Sequence, residues 1–126
     1  LVDWPLKESS EVVSTAIAQA RAWYWQRISA MVLMIFVLIH LGLILYAMRG
    51  GLTAGEILGR TQGNLGLTVF YTVFVLACVI HVPLGLQKIA EEWGGMKPST
   101  AQLLTRGFAA LILVLGLTAV WAVTAP

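Results

Sequence analysis

The stretch ISAMVLMIFVLIHLGLILYAM, residues 28–48, holds no Asp, Glu, Lys or Arg. A helix rises about 1.5 Å per residue, so about 20 apolar residues cross roughly 30 Å of hydrocarbon, and this run is long enough. Residues 61–87 and 107–126 are equally free of those four residue types. The chain of 126 residues is 59% hydrophobic and 11% charged, against about 25% charge in an ordinary soluble domain. One apolar helix can be the core of a soluble protein. Three leave too little polar sequence to cover them in water. The expectation is an all-α membrane protein with three transmembrane helices.

From the first run outward, the polar positions set the rest. Residues 1–25 read as an N-terminal interfacial segment and 26–126 as the three-helix membrane domain. Trp4-Pro5 favours an extended start, because the residue before proline is pushed away from helix. Ser9 or Ser10 then serves as an N-cap. Val12, Val13, Ala16, Ile17 and Ala20 recur at helical spacing, which predicts a short amphipathic helix at the membrane surface. Trp23, Tyr24 and Trp25 fall where an aromatic belt would lie. The first span is expected over 26–48. Residues 49–66 form a glycine-rich loop with a turn of helix after Thr53. The second span is expected over 67–92, carrying Pro83 and ending at Gly94-Gly95. The third is expected over 100–124, with Pro98 just before it.

Lys and Arg placement gives an orientation. One side of the membrane receives Lys7, Arg21, Arg27, Lys88, Lys97 and Arg106, the other only Arg49 and Arg60. The positive-inside bias puts the N-terminus in the cytoplasm of a multi-pass protein, in the inner (cytoplasmic) membrane. The pI near 9 therefore reflects topology rather than nucleic acid. Cys78 has no second cysteine to pair with, and there is no Cys-x-x-Cys, nucleophile–base pair or phosphate-binding glycine loop. Any chemistry on a water-soluble substrate belongs to another subunit.

The two histidines of the chain, His40 and His81, both fall inside spans. An ionisable group in hydrocarbon is functional by default, although an imidazole hydrogen-bonded between helices is the plain alternative. Neutral imidazole is also a common axial ligand of haem iron. Counting from Arg27, His40 lies about 20 Å inside the membrane; counting back from Lys88, His81 lies about 10 Å inside. That mismatch argues against one iron shared by both. Gly85, four residues from His81, shares its helix face and leaves room for a flat macrocycle, or for a close helix contact. Gly42 on the first span reads the same two ways. Arg27 sits at the boundary, either snorkelling to lipid phosphate or donating to a quinone carbonyl or haem propionate. Ser29, Trp23 and Trp25 are its neighbours.

At these residues the chain resembles the cytochrome b membrane-anchor subunits of succinate dehydrogenase and fumarate reductase. The helix-one signature of that family, Arg, an aliphatic residue, Ser or Thr, then a small residue, stands here as Arg27-Ile28-Ser29-Ala30. Its helix-two signature, a haem-ligating His, Gly four later and an acidic–aromatic–Gly end, stands as His81, Gly85 and Glu92-Trp93-Gly94. The resemblance implies that His81 is an axial ligand of haem b and that Arg27 lies on the quinone and propionate side. Two departures are visible: Gln26 stands where the family often has His, and Trp23 where a quinone-holding Ser is common. His40 looks like the helix-one ligand of two-haem members.

The implied protein is a haem b-containing electron-transfer anchor. One or two haems would be shared with a second anchor chain, and quinone would be the membrane acceptor or donor. An iron–sulfur subunit and a flavoprotein that oxidises the substrate would complete the complex. Two other readings remain open at this point, a haem-free structural anchor and a small transporter or channel subunit.

Overall fold

A computed structural model describes residues 4–126, with Trp4 described in its backbone alone. Four helices follow in order: α1 (Trp4–Gly50), α2 (Ala54–Thr61), α3 (Leu65–Glu92) and α4 (Pro98–Thr124). No strand is present among the described residues. Helices α1, α3 and α4 are each long and apolar enough to cross a membrane. Helix α3 packs against both α1 and α4, and the short α2 rests on α4.

The expected break between a surface helix and the first span is absent. Helix α1 is continuous over 47 residues, about 70 Å long. Trp4 is its first residue, and Pro5 sits in the first turn, where a missing N–H breaks no helical hydrogen bond. Ser9 and Ser10 are not caps. Their hydroxyls donate to the carbonyls of Leu6 and Lys7, at 2.9 and 2.8 Å, a bond that helical serines make without ending the helix. No proline or glycine falls between Pro5 and Gly42, so nothing in the chain interrupts the hydrogen-bond ladder.

The other ends match local chemistry. Thr53 caps α2 through a reciprocal capping box with Glu56. Gly51 (φ 106°) and Gly63 (φ 68°) turn the chain on either side of α2, in backbone conformations that disfavour other residues. The Arg60 guanidinium donates to the Gly51 carbonyl at 2.7 Å. The Gly63 N–H donates to the Thr124 carbonyl at 2.9 Å, tying this loop to the end of α4. Asn64 caps α3 by accepting from the Leu67 N–H at 3.0 Å. The helix then runs through Pro83 to Glu92. Gly95 (φ 60°) turns the chain out of the helix, with the Met96 N–H donating to the Ala90 carbonyl at 3.1 Å, and Gly94 is needed beside it because a Cβ there would stand 2.8 Å from that same oxygen. Pro98 is the first residue of α4, the position where proline is tolerated best.

Contacts between spans are made by small residues. Ala77, Ala101, Ser29, Thr105, Val120 and Thr124 are buried, while Leu38, Tyr46, Leu103 and Trp121 are exposed. This arrangement suits a lipid environment, where close backbone approach rather than a bulky core holds helices together. Gly116 shows how tight the approach is: a Cβ there would come within 2.6 Å of a Val75 methyl.

Candidate functional site

Two polar layers bridge α1 and α3. In the first, Ser29 is buried and its Oγ donates to the Gln26 carbonyl at 3.0 Å. The same Oγ stands 3.3 Å from His81 Nδ1. A serine hydroxyl has a single proton. With that proton in the shorter bond to Gln26, Oγ can only accept from His81, so Nδ1 carries the imidazole proton and Nε2 keeps its lone pair. This is the tautomer a metal-ligating histidine needs: its other nitrogen is held by a hydrogen bond that fixes the ring.

Gln26 completes this layer. Its carboxamide crosses to α3 and lies against Gly85, where an added Cβ would be 3.1 Å from Nε2. The open side that the sequence assigned to a macrocycle at Gly85 is thus taken by Gln26 within this chain. The Gln26 Oε1 is buried without a partner, an exception among buried polar atoms. Sequence reasoning noted Gln26 only as a departure from the family pattern. Its reach across Gly85 is a tertiary contact with no local signal.

The second layer holds His40, whose Nδ1 is 3.2 Å from the Tyr71 hydroxyl. The ring stands edge-on to Tyr71 and Phe74, with centroids 5.5 and 5.7 Å away. Phe36 and Phe70 stack beside it at 4.8 Å. Here the proton bookkeeping differs. If Tyr71 donates, one donor, Nε2–H, is left unmatched within the chain. If His40 donates, both the phenol proton and the Nε2 lone pair are left. The first arrangement satisfies more groups, and it leaves His40 without a free lone pair. Gly42 is two residues on, about 200° around the helix, and faces open space. It therefore does not share the His40 face.

The layers are far apart. Ser29 to His40 is eleven residues on α1, and Tyr71 to His81 is ten on α3. Both helices place the imidazoles about 15 Å apart along the membrane normal, so a single iron between them is excluded. Among the described residues no group of three or more His, Cys, Asp or Glu gathers to hold a bare metal ion.

The residues read as quinone contacts do not gather on one face. Ser29 and Trp25 line a small cleft of 180 Å³ between α1 and α3. Arg27 is two residues from Ser29, nearly opposite on the helix, and its guanidinium lies 4.3 Å from the Trp23 ring centroid. Arg27 and Trp23 therefore form an exposed cation–π pair on the outer face of α1. A larger cleft of 530 Å³ runs along the same seam and is lined by Arg21, Ala22, Trp25, Ile80, Pro83 and Leu84, among others. His81 does not border it.

Three spans, a surface suited to lipid and imidazoles bonded between helices define a multi-pass membrane protein. A family model describing the succinate dehydrogenase/fumarate reductase transmembrane subunit matches residues 5–124. The chain belongs to that family. Comparison with curated proteins and with solved structures finds no match.

Proposed function

We propose that this chain is the haem b-holding membrane anchor of a succinate dehydrogenase or fumarate reductase complex, in which electrons pass between an iron–sulfur subunit and membrane quinone. The observation that carries this reading is the bond between Ser29 and His81. Within a chain of this family, it leaves one intramembrane Nε2 oriented and unprotonated. That donor fits an iron that arrives with its own macrocycle and takes one imidazole from this chain. Any second residue holding that haem would come from another anchor chain, because His40 is a layer away. A haem bound at His81 would supply a one-electron carrier inside the bilayer. The chain's own part is to fix the imidazole, exclude water from it and hold the soluble subunits at the membrane. Those subunits carry the flavin chemistry.

The basic bias supports an N-terminus on the cytoplasmic side, where the first layer would be the one nearer the soluble subunits. We place the quinone contact at this boundary. Arg27 and Trp23 present their side of it outward, towards a second chain, while Ser29 and Trp25 face the seam. The bond between His40 and Tyr71 favours a packing role for His40 over ligation of a second haem.

The test is a reduced-minus-oxidised spectrum with haem quantitation on the intact purified complex. The expected result is one haem b per complex, lost in His81→Ala. An alpha band absent from the wild type would overturn the reading in favour of a haem-free anchor, and a band unchanged in His81→Ala would move the ligand elsewhere. In the same preparations, Arg27→Leu should lower quinone reduction while reduction of a soluble dye by the partner subunits persists.

A further inference from the structure

The 530 Å³ cleft between α1 and α3 has no part in the haem reading, yet it is a volume typical of a ligand site. Its walls are apolar except at one place. Ala18, Ala22 and Trp25 of α1 and Ile80, Pro83 and Leu84 of α3 line it, and Arg21 stands between the levels of Ala18 and Ala22, towards the outer part of the cleft. Pro83 and Ala22 keep the walls apart, since neither carries a long side chain to fill the space.

The level of that arginine follows from the helix register. Ser29 meets His81, and Gln26 meets Gly85, so the helices run antiparallel with those pairs side by side. Arg21 lies five residues beyond Gln26, about 7 Å nearer the membrane surface. This is the level of the last turn of α3. The cleft thus has its one cation at the water edge and apolar walls leading inward.

Charge decides what fits. The residues three and four from Arg21 on its own helix are Ile17, Ala18, Tyr24 and Trp25, so no carboxylate is a helical neighbour. On α3 the carboxylate of the cleft face, Glu91, accepts from Gln87 at 3.1 Å, a bond that orients it along its own helix without cancelling its charge. A guanidinium at the mouth of an apolar groove is matched by a ligand with an anionic, phosphate-like head and a hydrocarbon tail. A neutral quinone head would offer that guanidinium only a carbonyl acceptor, a weaker match than a phosphate. We propose that this cleft binds an anionic phospholipid, with the phosphate on Arg21 and one acyl chain lying between α1 and α3. The bound chain would then fill the seam beside the Ser29–His81 layer.

The experiment reads lipid rather than redox activity, so it stands whether or not haem is bound. The intact complex is placed in nanodiscs of phosphatidylcholine and titrated with spin-labelled phosphatidylglycerol or spin-labelled phosphatidylcholine. The immobilised fraction of label is measured. Wild type should immobilise phosphatidylglycerol in preference. Arg21→Gln should weaken that by about tenfold, the loss of one charge-assisted contact. Arg21→Lys should retain most of it, and Arg27→Gln should leave it unchanged. Ala22→Trp, which fills the cleft and keeps the charge, should abolish it. Equal immobilisation of both lipids by the wild type would overturn the proposal without any variant. So would retention in Arg21→Gln, or displacement of the label by a short-chain quinone.

Discussion

Replacing Ser29 by Ala removes the group that holds the His81 ring and nothing else of size. The side chain is 4% exposed, so water does not replace the lost acceptor, and the Nδ1–H is left unmatched or moves to Nε2. The bond is 3.3 Å long, beyond the usual 2.9–3.0 Å for N–H donors, which puts its net worth no higher than the middle of the ~0.5–1.5 kcal/mol range. At ~1 kcal/mol the change in haem affinity is about fivefold, and a tautomer shift that protonates Nε2 raises it to tenfold or more. The assay is the rate at which the intact complex transfers haem to an excess of an apo-globin acceptor. Ser29→Ala should release haem about five to ten times faster than wild type, and Ser29→Thr, which keeps a hydroxyl able to bond back along the helix, should stay close to it. An unchanged rate in Ser29→Ala, measured beside a His81→Ala complex that holds no haem, would refute the tautomer argument.

Other outcomes follow from the same contacts. Tyr71→Phe and His40→Ala should leave the haem count and alpha band as in wild type and lower only the thermal stability of the membrane domain. A second haem that disappears with His40 would reverse that assignment. Gly116→Ala should destabilise the contact between α3 and α4 by about 1–3 kcal/mol in detergent unfolding, because its Cβ meets Val75, and Val75→Ala should restore most of the loss. The Glu56 carboxyl is held below its ordinary value of 4.5, first by the Thr53 hydroxyl and then by the Thr53 N–H. A lowered folded-state value stabilises the α2 loop above the unfolded value and loses that effect as the pH falls through the folded one. The protection of the α2 amides relative to their intrinsic exchange rate should therefore fall as the pH drops below 4.5, and Thr53→Ala should flatten that dependence.

The spans were legible because absence of charge over a fixed length is a one-dimensional property. The turn of helix after Thr53 was legible for a similar reason, being read from a few adjacent residues, whereas Pro98 reads as lying just before α4 and is its first residue. Counting from Arg27 and Lys88 gives a depth difference of about 10 Å between His40 and His81, and the pairing of Ser29 with His81 and of His40 with Tyr71 widens it to about 15 Å. The continuity of α1 was missed because serine signals both a cap and a tolerated helix interior, and only the carbonyl it bonds distinguishes them. The lack of any proline or glycine between residues 5 and 42 was the better guide. Arg27 and Ser29 were grouped by sequence proximity, although two residues on a helix point nearly opposite ways. The reach of Gln26 to Gly85 and the partner of His40 depend on which helices meet and in what register. No single segment carries that information.

The unbroken backbone of α1 also fixes an angle. About half of its 47 residues precede the first apolar run, so the projecting half and the embedded half share one helical phase. Each added residue turns one half by about 100° against the other and advances it about 1.5 Å. The direction in which Val13 and Ile17 face outside the bilayer is thus locked to the direction in which Ser29 faces inside it. A soluble subunit that gripped the N-terminal half would be oriented, and not merely tethered, with respect to the His81 layer. Such a helix works as a keyed shaft. Its length would set the height of such a partner, and its phase which side of that partner looks down on the membrane.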